Sequence, residues 1–168
     1  MVNSMKVIKT SRLIIRPMAL SDATFIHQLY NQSLFLKFIG NKQIDDIDAA
    51  TTYILDGPQF SYKTYGVGLM TVSLHDGTPI GVCGLLQRED LPQPDLGYAL
   101  DEAFYRNGYM KEACLAVLNK NQHMQNILAI TSKDNEASSQ LLKTLGFVLM
   151  EEGHKGYPDA DIYQFITS

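Results

Sequence analysis

The sequence has few cysteines, no tryptophan and no long hydrophobic run, and each absence argues against a class of protein. Its 168 residues include two cysteines, Cys83 and Cys114, which form no CxxC pair and no Cys/His spacing typical of a metal site. Two isolated cysteines are too few for a disulfide framework, so we expect reduced thiols, a cytoplasmic protein and no bound metal. The four histidines are also isolated and form no HxxxH or HExxH pair.

Signals for membranes and nucleic acids are missing as well. The N-terminal segment MVNSMKVIKTSRLII lacks the apolar run and cleavage site of a signal peptide, and no stretch reaches membrane-spanning length. The formal net charge is −4, whereas a broad nucleic-acid-binding face usually carries clustered Lys and Arg. We therefore expect neither a nucleic-acid partner nor a membrane partner.

Several catalytic signatures are absent too. No serine lies in a GxSxG elbow, the phosphate loop GxxxxGK[ST] is missing, and no GxGxxG follows a predicted strand. These absences argue against a serine hydrolase, a nucleoside triphosphatase and a dinucleotide-dependent enzyme. With 45% hydrophobic residues and no low-complexity segment, the chain predicts a single domain over residues 1–168, with 1–8 as a poorly ordered leader.

The sequence does contain an ordered series of strand and helix patterns. Apolar runs on both sides of Asp76-Gly77 predict a β-hairpin, and Gly57-Pro58 is predicted to end a helix. The predicted strands are residues 13–16, 65–74, 79–86, 96–100, 127–131, 147–152 and 162–167. The predicted helices include residues 25–30, 45–55, 108–119 and 135–144. This order predicts a mixed α/β sheet covered by helices.

Three segments together resemble one known family. TSRLIIRP near the start, LGYALDEAFYRNGYMKEA in the middle and DNEASSQLLKTLGF near the end occur in order and at sensible spacing. They are similar to the GCN5-related N-acetyltransferase (GNAT) superfamily, in the branch that resembles the ribosomal-protein alanine N-acetyltransferases. The resemblance covers residues 9–165 and implies an α/β (α+β) fold. Its sheet would be mostly antiparallel, with about six to seven strands and helices on both faces.

The resemblance implies transfer of an acetyl group from acetyl-CoA to a primary amine. In this family a Q/R-x-x-G-x-G/A loop before the central helix holds the CoA pyrophosphate with main-chain N–H groups. Here the matching segment runs from Tyr105 to Met110, and both of these residues depart from the pattern. Gly108 would keep the loop open at the helix N-terminus, where anions bind. Gly108 also fits a simple helix entry that needs a left-handed residue.

The family places the pantetheine arm of CoA between two splayed strands, which match residues 96–100 and 127–131 here. Asn135 and Ser138 would border that arm, although both also fit capping of the following helix. The predicted cofactor-binding residues are Ala99, Leu100, Arg106, Asn107, Gly108, Tyr109, Met110, Lys111, Asn135 and Ser138.

The chemical step needs a base, because an ammonium group does not attack a thioester. Asp95 stands where this branch often carries Glu and is the first candidate, followed by Glu89 and Asp90. All three also fit solvated loop carboxylates.

The departing thiolate needs a proton donor as well. Many members of the superfamily carry a tyrosine for this purpose at the position of Leu142. Its absence leaves Ser138, Tyr98 or water as the acid, or else a thiolate that is a fair leaving group and needs little help. Ser138 is among the catalytic residues that we predict.

The resemblance also places the acceptor beside three loops with an aromatic and acidic rim, which suits a cationic amine. The rim residues are Phe60, Tyr62, Tyr65, Tyr157, Glu89, Asp90, Asp159 and Asp161. The same aromatics also fit closure of the core edges. The acceptor would be a protein N-terminus or a small amine, and the protein a monomer or homodimer. The alternative function is an acyl-CoA-binding sensor that has lost turnover.

Overall fold

The strand patterns of the sequence come together in one sheet of eight strands. We describe a computed structural model of the chain at residues 5–154 and 156–165. The strands are β1 (Ile8–Lys9), β2 (Leu13–Pro17), β3 (Leu69–Leu74), β4 (Pro79–Leu86), β5 (Asp95–Leu100), β6 (Ile127–Ser132), β7 (Phe147–His154) and β8 (Tyr157–Phe165). They lie in the order β1-β2-β3-β4-β5-β6-β8-β7. Among the strands that the structure describes, only the neighbours β5 and β6 are parallel.

Six α-helices accompany the described strands. They are α1 (Ala23–Tyr30), α2 (Ser33–Phe38), α3 (Ile47–Ile54), α4 (Phe60–Tyr65), α5 (Tyr109–Lys120) and α6 (Glu136–Leu145). A π-helical turn (Leu55–Gln59) joins α3 to α4, and short 3-10 turns lie at Leu20–Asp22 and Glu102–Phe104. In the described part of the chain, no helix is both long enough and apolar enough to cross a membrane.

The helices cover both faces of the sheet, because successive residues of a strand point to opposite sides. On β4, Val82 packs against α1 and α3, with Ile26 and Ile54 among its neighbours in that core. The next residue, Cys83, belongs to the core beneath α5 and α6. The predicted fold class is therefore confirmed, with eight strands instead of six to seven.

The predicted hairpin is confirmed as β3 and β4. Gly77 adopts a φ of +93°, and the Leu74 N–H donates to the Thr78 carbonyl at 2.9 Å. The Asp-Gly pair encodes this turn locally, because glycine enters the left-handed region without a Cβ clash.

Other boundaries differ from the sequence prediction. Gly57-Pro58 does not end the helix, because the π-helical turn accommodates a proline that lacks an N–H, and Pro58 is buried. The strand predicted from residue 65 begins at Leu69, since α4 occupies residues 60–65. β1 and α2 were not predicted, as both are short.

Within the predicted leader, Ile8 is buried in β1 and Met5 packs against the core. Residues 1–4 of that leader, and residues 166–167 of the last predicted strand, lie outside the described residues.

A buried ion pair ties the start of α1 to the sheet. The Asp22 carboxylate accepts two hydrogen bonds from the Arg16 guanidinium, both at 2.8 Å, and one each from Ala19 N–H (2.8 Å) and the Thr71 hydroxyl (3.0 Å). Burial alone would raise the pKa of Asp22, but these hydrogen bonds outweigh it and hold the pKa below its ordinary value.

We expect Asp22→Asn to lower the free energy of unfolding by about 2 kcal/mol near neutral pH, since it removes the charge that pairs with the partly exposed Arg16. Because the folded-state pKa of Asp22 is lowered, this contribution is present above the ordinary aspartate pKa and is lost as the pH falls. Urea denaturation at several pH values measures it, with the exposed Asp48→Asn as control. Equal stability of the two variants at neutral pH would contradict the assignment.

Candidate functional site

The parallel strands β5 and β6 meet at one point and then separate. Asp95 and Leu128 form their one register pair in the described residues, and the Leu128 N–H donates to the Pro94 carbonyl at 2.9 Å. Residues 97–100 of β5 are only half-buried, although they lie in the middle of the sheet. The splaying that the resemblance implies is therefore present.

A cleft of about 960 Å³ occupies this gap and extends past it to the first helices. One wall comes from β5, β6 and α6. Its residues include Asp95, Leu96, Gly97, Tyr98, Ala99, Ile130, Thr131, Ser132, Asn135 and Ser138. Aromatic rings form much of the other wall, from Tyr30, Phe35, Phe38, Tyr53, Phe60 and Tyr65. The gap and the aromatic region are thus continuous.

Asp95 lies where the two strands meet, and only 1% of its surface is exposed. Its carboxylate accepts a hydrogen bond from Arg88 Nε at 2.9 Å. Burial raises the pKa of Asp95, and the Arg88 charge offsets this in part. The interpretation of Asp95 as a solvated loop carboxylate is therefore wrong. Glu89 is exposed and also lines the cleft.

A hydroxyl pair crosses from β5 to α6. Tyr98 Oη and Ser138 Oγ are 2.5 Å apart, and both residues line the cleft. Burial raises the pKa of Tyr98 far above neutrality, so this phenol stays protonated and able to donate. Leu142 is fully buried in the core. The hydroxyl pair thus supplies an O–H group to the cleft from a position other than that of Leu142.

Capping explains part of the Asn135 and Ser138 pattern. The Asn135 side-chain oxygen accepts a hydrogen bond from the Ser138 N–H at 3.2 Å, which caps α6. This bond leaves the Ser138 hydroxyl to Tyr98 and to the cleft. The two interpretations of Ser138 are therefore compatible, since its N–H and its hydroxyl do different things.

The Gly108 loop brings the start of α5 to the surface. Gly108 has a φ of +75° and Arg106 a φ of +66°, which is uncommon for a residue with a Cβ. The first N–H of α5 with a helical acceptor is that of Glu112, which donates to the Gly108 carbonyl at 3.1 Å. The N–H groups of Tyr109, Met110 and Lys111 therefore lack intrahelical partners.

The Met110 side chain does not crowd this loop, because it is buried in the core under α5. Arg106, Asn107 and Lys111 are exposed. Among the described residues that line the cleft, none comes from this loop. Ala99 lines the cleft, whereas the Leu100 side chain packs against the core.

Arg12 holds the loop in place, a role that the sequence analysis missed. Its Nη1 donates to the Asn107 carbonyl and its Nε to Glu112, both at 2.8 Å. Its guanidinium also lies 4.4 Å from the centre of the Tyr109 ring. Arg12 and Asn107 are 95 positions apart, so no local signal reveals the contact. The arginine lies in the segment TSRLIIRP, which contributes to the family resemblance.

Part of the predicted rim lines the cleft. Phe60, Tyr65, Tyr157, Glu89 and Asp159 line the cleft. Tyr62, Asp90 and Asp161 do not: Tyr62 is buried and its hydroxyl bonds to the main chain of Met18 and Leu69. A positive side of the cleft was missed, namely Lys37, Lys42 and Arg88.

The two cysteine thiols lie together in the core, which does not suit a nucleophile. Cys83 and Cys114 are fully buried, with their sulfur atoms 3.8 Å apart. Burial raises the pKa of Cys114, so its reactive thiolate is disfavoured.

Comparisons with known proteins agree with this geometry. A family model described as "Acetyltransferase (GNAT) domain" matches residues 12–148. The uncharacterized N-acetyltransferase YoaA of Bacillus subtilis (strain 168) is 26% identical over 148 residues, which are 84% of this chain and 82% of that protein.

Solved structures share the fold. One is the Salmonella typhimurium acetyl transferase that modifies the N-terminal serine of 50S ribosomal subunit protein L7/L12. It has a TM-score of 0.82 at 18% identity, over 97% of this chain and 100% of that chain. Another is the microcin C7 self-immunity acetyltransferase MccE in complex with acetyl-CoA and AMP, with a TM-score of 0.80 at 15% identity over 94% of each chain. Because the family model matches most of the sequence, the chain belongs to the GNAT family of acetyltransferases and is an N-acetyltransferase.

Proposed function

We propose that the protein transfers an acetyl group from acetyl-CoA to a primary amine by direct attack in a ternary complex. The observation that carries this proposal is the β5–β6 gap, in which a buried carboxylate and a protonated hydroxyl pair line one continuous cleft. Family membership supports the same chemistry. The amine belongs to a protein N-terminus or to a small molecule.

In this proposal, acetyl-CoA binds along the open edge of β5. Main-chain groups near Ala99 and Leu100 pair with the pantetheine arm as a strand would. The pyrophosphate binds the free N–H groups at the start of α5, where the helix dipole favours an anion. The exposed Arg106 and Lys111 add charge to this end. The observed burial of Met110 and the Arg12 contacts support this arrangement, since they leave the loop open and fixed.

Asp95 acts as the base, directly or through one water molecule. The neutral amine attacks the thioester carbonyl carbon, a C–N bond forms, and the C–S bond breaks. The proton lost by nitrogen passes to the Asp95 carboxylate, whose raised pKa favours its acceptance. Glu89 is the second candidate, at the exposed side of the cleft.

The thiolate takes its proton from Ser138, which Tyr98 can reprotonate across their 2.5 Å contact. Two features favour a non-catalytic sensor, the altered loop at Tyr105 and Met110 and the apolar Leu142 at the usual tyrosine position, and this hydroxyl pair answers the second. A thiol-release assay with acetyl-CoA and varied amines separates the two functions. Turnover supports the enzyme, and acetyl-CoA binding without turnover across a broad amine panel supports the sensor.

We expect Gly108→Ala to weaken acetyl-CoA binding by about tenfold, because a Cβ is strained at positive φ and the N–H groups would lose their alignment. Isothermal titration calorimetry measures the affinity. The matched control is Gly77→Ala, which introduces similar strain in the β3–β4 turn, away from the cleft. Equal affinities in the two folded variants would show that Gly108 serves only as a helix entry.

We expect Asp95→Asn to lower kcat by about a hundredfold, and Ser138→Ala by about tenfold, because each removes one proton-transfer group. Acetyl-CoA affinity should change little in Asp95→Asn, since the pyrophosphate contacts lie on α5. Steady-state thiol release and calorimetry give the two quantities. A kcat of Asp95→Asn equal to that of the unsubstituted protein would rule out Asp95 as the base and favour Glu89.

A further inference from the structure

The acceptor end of the cleft carries positive charge beside the base. Lys37, Lys42 and Arg88 line the cleft, and among the described residues only Arg88 of these three has an ion-pair partner, Asp95. In the described residues, neither lysine has a carboxylate oxygen within 4.0 Å. The exposed carboxylates Glu89 and Asp159 line the same cleft, and the Lys37 ammonium lies 4.9 Å from the centre of the Phe38 ring. The cleft therefore presents cations that a bound anion would satisfy.

Lys42 and Arg88 both line the cleft. Partial desolvation lowers the pKa of Lys42, and the positive charge of Arg88 lowers it further. Two like charges that face one cleft repel, and an anionic group between them removes that repulsion.

Arg88 connects this positive region to the proposed chemistry. Its Nε donates to Asp95 at 2.9 Å, and the guanidinium has further N–H donors on its other nitrogens. An anion bound to those nitrogens lies within one guanidinium width of the Asp95 carboxylate. The acceptor's anionic group and its attacking amine are therefore separated by only a short span.

The third feature is apolar surface in the same cleft. Tyr30 stacks on Phe35 with ring centres 4.2 Å apart, and the Tyr30 and Tyr53 hydroxyls are 2.7 Å apart. Phe60 is 53% exposed and Tyr65 45% exposed, although both line the cleft. Such rings leave apolar area that a ligand side chain would cover.

We propose that the acceptor is a free α-amino acid with a large apolar side chain. Its carboxylate binds Arg88 and Lys42, its side chain packs on the aromatic wall, and its amine faces Asp95. Attack forms the C–N bond and breaks the C–S bond, which gives an N-acetyl amino acid and CoA thiol. This inference rests on the proposed function and names its substrate class.

Three acceptors with the same ring test the carboxylate: L-phenylalanine, L-phenylalaninamide and 2-phenylethylamine. Thiol release gives kcat/KM, compared per neutral amine so that the different amine pKa values do not matter. We expect phenylalanine to exceed both carboxylate-free amines by about tenfold or more. L-alanine, which keeps the carboxylate and lacks the ring, should also be a poorer acceptor.

Lys42→Met should lower kcat/KM for phenylalanine by about tenfold and leave 2-phenylethylamine unchanged. The control is Lys63→Met, an exposed lysine of α4 that does not line the cleft, which should affect neither acceptor. Higher kcat/KM for 2-phenylethylamine than for phenylalanine would overturn the inference while acetyl transfer stands. A peptide with an acidic first residue that outperforms phenylalanine would also overturn it.

Calorimetry with phenylalanine and the CoA-bound protein separates the inference from the proposed function. Lys42-dependent binding of phenylalanine, without thiol release from any acceptor, would contradict the transfer reaction and leave the amino-acid site intact. Thiol release with other amines, without such binding, would contradict the amino-acid site alone.

Discussion

The site depends on the one register pair that joins β5 to β6 in the described part of the chain. Each strand keeps a full partner on its other side, since β5 forms six register pairs with β4 and β6 forms six with β8. Both strands therefore stay ordered while the gap between them remains open. The main-chain groups that face this gap have no strand to pair with, and buried backbone donors and acceptors require partners. A ligand that pairs as a strand meets this requirement.

The gap also fixes where the side chains of the site can lie. Asp95 is buried because the strands meet there, and this burial is the reason that its pKa is raised. Tyr98 follows three residues later, after the strands have begun to separate, and it meets Ser138 from a helix 40 positions further along the chain. The loop that follows β5 exposes the start of α5, and Arg12 holds this loop in place. The path of β5 thus sets where the carboxylate, the hydroxyl pair and the loop of the proposed site lie.

The sequence predicts best what is encoded locally. Asp76-Gly77 specifies the hairpin through one left-handed residue, and Gly108 marks a turn for the same reason. The pattern at Asn135 and Ser138 fitted both helix capping and cofactor binding. The structure shows that the Ser138 N–H, and not its hydroxyl, takes part in the cap. The sequence did not predict the π-helical turn at Pro58, because tertiary packing decides whether a helix ends at a proline. The family resemblance, rather than periodicity, led to the β5–β6 gap.

Contacts between residues far apart in the sequence were not predictable from one sequence alone. No local signal reveals the contacts of Arg12 or the surroundings of Lys42, and the importance of both residues follows from what packs near them. The aromatic wall was predicted in part, through Phe60 and Tyr65, whereas Tyr30 and Tyr53 were not predicted to line it. Long-range packing brings such side chains into one cleft.

Hydrogen exchange of the main chain tests the central claim most directly. With saturating acetyl-CoA, we expect slower exchange at those β5 amides in residues 97–100 that face the gap, and at residues 109–111 at the start of α5. The amides of the β3–β4 turn should exchange unchanged. Binding of acetyl-CoA that slows exchange in neither β5 nor α5 would contradict the account, since the cofactor would then lie outside the gap.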